Sequence, residues 1–311
     1  MKKVMVYRLL LLTLLVVPLA GAGCGTVKSV YTSVNDRLFN PLYKKATPVK
    51  DGLKKRLLIL PIIDQASLGD IKTEELTDRF LKFFEEDGNF LIHRTQKTPY
   101  GNTALGSPQF GIIVDPNIAK RAEELGMNVL VTAVLNPFEV HTERWGFWPV
   151  QRKKRELEIS MSINVLDITN GTLFLTKQVT RKRKLPKDGD EKTEKVADDE
   201  VLHKILPDIL SEQASAVIKE LKNHPWSGRV LSAGPKNIII SAGKDVGLDI
   251  GRVFDVFERG EAIRSVEGGS LFLLGEKVGE IKIIQIMEKY ASAVPLSGAQ
   301  FKAGQVIKIK N

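Results

Sequence analysis

The stretch Arg56-Leu-Leu-Ile-Leu-Pro-Ile-Ile-Asp64 decides the fold. A continuous apolar run between charged flanks is the pattern of a strand buried on both faces. Pro61 lacks a backbone N–H and ends or bulges the ladder there. Downstream, Thr73 is placed to cap a helix whose Leu76, Phe80, Phe83 and Phe84 fall at helical spacing, with Gly88 in the left-handed position that closes it. Phe90–His93 reads as a short strand. Asp115-Pro116 reads as a cap and first-turn proline opening a helix through Ile118, Ala119, Ala122 and Leu125 that stops at Gly126. Val129–Val134 is a further buried strand, so the order is strand, helix, strand, helix, strand.

Farther out, Leu157, Ile159, Met161, Ile163 and Val165 alternate with Glu158, Ser160, Ser162 and Asn164, giving one apolar face. Asn170-Gly171 is a hairpin turn signal, because both residue types tolerate positive φ. The return strand, Thr172 to Lys184, becomes basic at Lys177, Arg181, Lys182, Arg183 and Lys184. After a charged loop over 186–200, a helix carries Leu202, Ile205, Leu206, Ile209, Leu210, Val217, Ile218 and Leu221. Pro207 inside it predicts a kink or a break into two helices. At His224-Pro225-Trp226-Ser227-Gly228 the pattern changes to short strand-like runs: Arg229–Ser232, Asn237–Ser241, Val253–Phe257, Gly279–Met287, Ala291–Pro295 and Val306–Lys310, with glycines recurring between them. The expected class is α+β: a mixed α/β domain over 56–225, then a small antiparallel β-barrel or sandwich over 226–311.

Upstream, Lys2, Lys3 and Arg8 precede the run Leu9–Val17, which is too short to span a bilayer with margin and reads as a secretory signal. Leu19-Ala-Gly-Ala-Gly23 supplies small residues up to Cys24, the sole cysteine of the chain. This segment resembles the lipobox of bacterial lipoproteins. The resemblance implies removal of residues 1–23, acylation of Cys24 with chains such as palmitate, and 24–55 as lipidated N-terminus and tether. Gly21 stands where that family more often has leucine. No aspartate follows Cys24, which favours the outer membrane. Without a second cysteine there is no disulfide framework and no cysteine metal site. The balance of 46 basic to 37 acidic residues becomes 43 to 37 once Lys2, Lys3 and Arg8 leave with the signal. An exported protein with that excess meets anionic headgroups, glycans and proteins, and no nucleic acid.

Two further resemblances cover most of the remaining chain. Residues 56–222 resemble the envelope domain shared by the amino-terminal part of TolB, the curli-secretion lipoproteins and the middle domain of flagellar assembly protein T. The residues that carry it are Leu60-Pro-Ile-Ile-Asp64, Glu85-Glu-Asp-Gly-Asn-Phe90, Ala122-Glu-Glu-Leu-Gly-Met-Asn-Val-Leu-Val131 and Val165-Leu-Asp-Ile-Thr-Asn-Gly171. Residues 228–311 resemble the C-terminal domain of flagellar assembly protein T through Gly228-Arg-Val230, Ile238–Gly243, Gly247–Val256, Val278–Ile281, Ala291-Ser-Ala293 and Phe301–Val306. That flagellar family has a further N-terminal domain and an ordinary signal, which this chain replaces with a lipobox and tether.

Catalytic chemistry is not legible. His93, His141, His203 and His224 fall in no ligand spacing, no GxSxG surrounds a serine, and Gly243–Gly251 lacks the GK[ST] of a phosphate loop. Neither a cofactor nor a metal is expected. One cluster stands out: Trp145, Phe147 and Trp148 beside Arg152, Lys153, Lys154 and Arg155. Aromatics with cations suit a membrane-surface or partner-docking loop; the alternative is a strand insertion whose aromatics cover the core. The 157–184 hairpin could in principle cross a membrane, as in curli secretion, but Lys177 and Arg181 fall on its apolar face, and a basic residue there costs ~2–4 kcal/mol near the midplane. A soluble sheet packed on helices is expected instead. The sequence thus points to a non-catalytic, lipid-anchored, periplasm-facing adaptor or scaffold in envelope machine assembly. Its partners would be the flagellar basal body or a secretion apparatus, with homo-oligomerisation left open. A curli-type transport accessory and a ligand- or glycan-binding module are the alternatives.

Overall fold

Helices cover both faces of the strand that begins at Lys55. The computed structural model describes residues 52–94, 116–147, 152–185, 200–235, 237–264 and 270–310. Cys24 and the aromatic Trp148 lie outside the described residues, as do Asp115, most of the expected tether and most of the 186–200 loop. Strand β1 (Lys55–Ile59) runs parallel to β3 (Phe90–Arg94) on one side and to β4 (Val129–Leu135) on the other. Leu57 and Ile59 join a core with Leu76, Phe80 and Phe84 of α1 (Asp70–Asp87) and Ile209, Leu210 and Val217 of α3 (Leu206–Asn223). Leu58 and Leu60 pack the other way, against Ile118 and Ala122 of α2 (Pro116–Glu124). Pro61 interrupts the run as anticipated, and the chain resumes as β2 (Ile63–Asp64), which pairs with β4.

One helix terminus differs from expectation. Helix α1 begins a turn early, with Gly69 before it at φ 93°, and Thr73 lies inside the helix. Its Oγ1 donates back to Gly69 O at 3.0 Å, so the hydroxyl satisfies a carbonyl within the first turn and caps no N–H. Gly88 closes α1 at φ 72°, as expected. At Pro207 the expected division takes the form of a change of helix type: a π-helical turn over Val201–Ile205 runs directly into α3, and the proline occupies the first turn of α3, where a missing N–H is harmless.

The second half of the sheet is antiparallel. Strand β6 (Arg152–Asp167) pairs through its C-terminal half with β4 and through its N-terminal half with β5 (Glu139–Trp145). Strand β7 (Leu173–Leu185) spans most of the opposite edge of β6. Gly171, at φ 73°, turns that hairpin. Lys177 and Arg181 stand opposite Ile163 and Ile159, on the apolar face. Helix α3 covers this face, and its Glu212 receives Lys177 Nζ at 2.9 Å and Arg181 Nη2 at 2.6 Å. Gln213 Nε2 donates to Met161 O at 2.8 Å. The hairpin is therefore packed on a helix, and its misplaced cations are answered by one carboxylate.

The last part of the chain closes into an antiparallel barrel of order β10-β11-β12-β9-β8-β13, a barrel and not a sandwich. Its strands are β8 (Ser227–Ala233), β9 (Ile238–Ile240), β10 (Val253–Arg264), β11 (Ser270–Ile286), β12 (Ala291–Gly298) and β13 (Val306–Ile309). Strands β10 and β11 run well past the short apolar segments foreseen, because bulges let Phe257–Arg264 stay paired where the hydrophobic pattern fades. Trp226 and Phe254, both fully buried, fill the interior with ring centroids 5.8 Å apart. Gly228 admits the indole: a Cβ there would lie 2.4 Å from Trp226 Cη2.

Candidate functional site

Two places concentrate functional side chains, and they lie at opposite ends of β6. At its C-terminal end, sheet and barrel are clasped by buried cations. Arg56, which the sequence offered only as a charged flank, sits buried in β1. Its Nε and Nη2 donate to the two carboxylate oxygens of Asp245 at 2.9 and 2.7 Å. The same guanidinium donates to Ser241 O at 2.9 Å, Lys289 O at 2.8 Å and Gly126 O at 3.3 Å. Lys55, the last residue of the expected tether, is buried as the first of β1, and its Nζ donates to Leu221 O at 2.9 Å and His224 O at 2.8 Å. Arg229 of β8 pairs with Glu123 and donates to the carbonyls of Ile168 and Thr169. Asn128 joins the halves as well, accepting Arg56 N–H at 2.7 Å and donating to Ser227 O at 2.6 Å.

Burial shapes the electrostatics of this clasp. It raises the carboxyl of Asp167 to about 6, against which hydrogen bonds at Thr169 and the charge of Lys308 work. It lowers the guanidinium of Arg229 to about 9, with nearby Arg259 adding repulsion. His93, at the strand end, is pushed below its ordinary value by burial and by the charges of Lys289 and Arg56. The glycine-rich 243–251 segment belongs here too. A Cβ on Gly243 would lie 2.4 Å from Glu288 O, and the backbone of Lys244 and Asp245 bonds to Met287 O and Glu288 O at 2.9 and 3.1 Å. That close approach delivers Asp245 to Arg56. The segment is a structural turn, as its lack of GK[ST] suggested.

The other end of β6 is the aromatic–cationic cluster, and it is a strand pair where the sequence suggested a loop. Residues 139–145 and 152–158 pair without interruption, placing Trp145 opposite Arg152, Arg144 opposite Lys153, Glu143 opposite Lys154 and Thr142 opposite Arg155. Every residue of β5 is exposed. Trp145 is 61% and Phe147 77% exposed, so these two aromatics cover no core. One face of the ribbon carries ion pairs, Lys154 with Glu156 at 2.8 Å and Lys182 with Glu158 at 3.2 Å, and His141 Nε2 lies 3.4 Å from carboxylate oxygens of both Glu139 and Glu158. On the other face, Arg144 and Arg155 form no ion pair among the described residues. The sequence reading missed β5 because no residue in it is buried; its one signal was Val140 and Thr142 alternating with Glu139, His141 and Glu143.

Among the described residues no cluster of three His, Cys, Asp or Glu is arranged to hold a metal, and no helix is long and apolar enough to cross a membrane. The histidines are apart: His224 stacks on Phe174 with centroids 4.1 Å apart and meets Glu220 at 2.8 Å. Glu280 accepts from Lys277 and Lys310 at 2.8 and 2.6 Å.

No protein-family model matches the chain, and no curated protein matches it. Solved structures do. The hypothetical protein CT253 of Chlamydia trachomatis is 13% identical with a TM-score of 0.32, covering 53% of this chain and 99% of its own. The PelC dodecamer of Paraburkholderia phytofirmans is 9% identical with a TM-score of 0.31, covering 54% of this chain and 88% of its own. The lipoprotein GNA1162 of Neisseria meningitidis is 12% identical with a TM-score of 0.26, covering 55% of this chain and 99% of its own.

Proposed function

We propose that this chain is a non-catalytic accessory protein of the bacterial cell envelope, acylated at Cys24 and facing the periplasm from the outer membrane as an adaptor or scaffold. The observation that carries the scaffold reading is the clasp. Arg56, Arg229 and Asn128 spend their polar groups on contacts between sheet and barrel, while Lys55 ties β1 to the end of α3, which favours one stiff body over a hinged pair. A stiff body on a lipid tether suits holding a partner at a fixed place; two or more acyl chains make such attachment lasting. The sequence resemblance of residues 228–311 to flagellar assembly protein T makes the flagellar basal body the first machine to examine. The anchor is tested by expressing the full chain and Cys24→Ser in a bacterial host, labelling with radioactive palmitate and fractionating the membranes. Label on the wild type alone, recovered with the outer membrane, is the expected result; a soluble, unlabelled wild type refutes the anchor. Unchanged motility and envelope integrity on deleting the gene would refute the assembly role.

A further inference from the structure

We infer that the free end of the β5–β6 ribbon docks on an anionic phospholipid surface. This deepens the envelope reading and takes from it only the setting; the contact itself is argued from the ribbon. Three observations point the same way. The end carries exposed apolar side chains, Trp145 within the last register pair and Phe147 just beyond it. Cationic residues follow immediately behind: Arg144 and Arg155 on the described surface, and Arg152 and Lys153 at the register positions between them, within four register rows. At about 3.3 Å per residue those rows span about 10 Å along the strand, close to the depth of a bilayer's interfacial layer, ~5–8 Å on each side of the hydrocarbon. Aromatics at headgroup level with arginines level with the phosphates is the arrangement such a layer selects. Third, among the described side chains the cations of one face are answered by carboxylates and those of the other are not. Carboxylates answer Lys154 and Lys182 on the ion-paired face, while Arg144 and Arg155 on the other meet none among the described residues.

An acidic polypeptide would satisfy the arginines but gives no reason for two exposed aromatics at the extreme end. Reach does not forbid the membrane of the anchor itself. From Arg152 to Asp167 β6 measures about 50 Å at the usual rise per residue. The chain between Cys24 and Lys55 extends to ~100 Å at most.

The test uses residues 24–311 with Cys24→Ser, so that no acyl chain reports. Sedimentation with vesicles of phosphatidylglycerol and phosphatidylcholine is compared with phosphatidylcholine alone. The expected result is binding to the anionic vesicles only. It should weaken about 10- to 30-fold in Arg144→Ser/Arg155→Ser, taking a few-fold per cation, and by a similar factor in Trp145→Ala/Phe147→Ala. Arg144, Trp145 and Phe147 are exposed and Arg155 is half-buried, and unchanged circular dichroism confirms that the variants fold. In the unsubstituted ribbon, brominated lipid should quench tryptophan emission, and Trp145→Phe should diminish that quenching. No binding to anionic vesicles, or binding indifferent to both double variants, overturns the inference. Retention on immobilised polyglutamate without vesicle binding also overturns it, in favour of an acidic protein. Each of these failures leaves the Cys24 anchor standing, since acylation is read in a separate experiment.

Discussion

Replacing Arg56 with methionine is the sharpest test of the clasp. Methionine fills much of the same volume and keeps β1 apolar, so the change removes the guanidinium and little packing. What is lost can be enumerated: a two-point pair with Asp245 at 2.9 and 2.7 Å, and donors to three carbonyls at 2.8–3.3 Å. The arginine side chain is 4% exposed and that of Asp245 17%. Removing one partner of a buried ion pair costs ~3–5 kcal/mol, because the other charge stays behind. Water reaches Asp245 in part, so we expect the lower end, about 3 kcal/mol. For a body of this size 1 kcal/mol moves Tm by ~2–4 °C, giving a fall of about 6–12 °C by scanning calorimetry. The transition should also broaden or split, since sheet and barrel then unfold less as a unit. A cycle with Asp245→Asn isolates the pair, and contacting groups of this kind couple by ~0.5–3 kcal/mol. A Tm within 2 °C of wild type, or additive single effects, would refute the reasoning.

Three further outcomes follow from the same geometry. Asp167 binds its proton more tightly folded than unfolded, so folding takes up protons between about pH 4 and 6 and stability falls as pH rises through 6. The lost stability is roughly 2–3 kcal/mol by pH 7, and Asp167→Asn, which keeps an acceptor for the Thr169 N–H, should flatten urea midpoints measured at pH 5 and 7.5; an unchanged slope would assign the pH dependence elsewhere. Gly243→Ala would drive a methyl into the Glu288 and Met287 carbonyls, 2.4 and 2.6 Å away, costing ~1–3 kcal/mol in chemical denaturation, and a neutral result would mean the turn is not locked. Glu212→Gln should cost only ~0.2–1 kcal/mol, because the pair is half exposed, and the difference should vanish in 1 M salt.

Hydrophobic period made the architecture readable. The run at 57–60 is apolar at every position because helices cover both faces, and the alternation at 157–165 marks a strand with one face on α3. Turn chemistry was equally legible at Gly88 and Gly171, whose positive φ values are those the residue type foretells. What resisted reading was polar. Thr73 looked like a cap because a hydroxyl can serve either an N–H ahead or a carbonyl behind, and only the backbone decides. Strand β5 buries nothing, so its weak alternation at Val140 and Thr142 marks no core face, and its pairing with β6 is a matter of register that no apolar pattern reports. The partners of Arg56 and Arg229 lie more than 100 positions from them in the chain, at Asp245 and Glu123, and no local pattern reports a contact of that span. Lys55 and Arg56 read as a charged flank because buried cations are rare without partners, and their partners lie far along the chain.

The same two residues explain why the clasp sits where it does. Leu53 belongs to the barrel core, Lys54 N–H bonds to Val246 O at 2.9 Å, Lys55 holds the end of α3, and Arg56 closes on Asp245 before β1 enters the sheet. Within four residues the chain has engaged both barrel and sheet. On the proposed anchored protein, any pull through the tether would arrive at this point and be shared at once between the two, instead of peeling either from the other. A hydrophobic junction could supply equal free energy, but apolar contacts are non-directional and allow sliding. Fixed donors aimed at named carbonyls and a two-point carboxylate pair permit one relative placement. That is the property an adaptor needs if the tip of β6, some 50 Å away, is to present its aromatic end at a constant angle to whatever it docks upon.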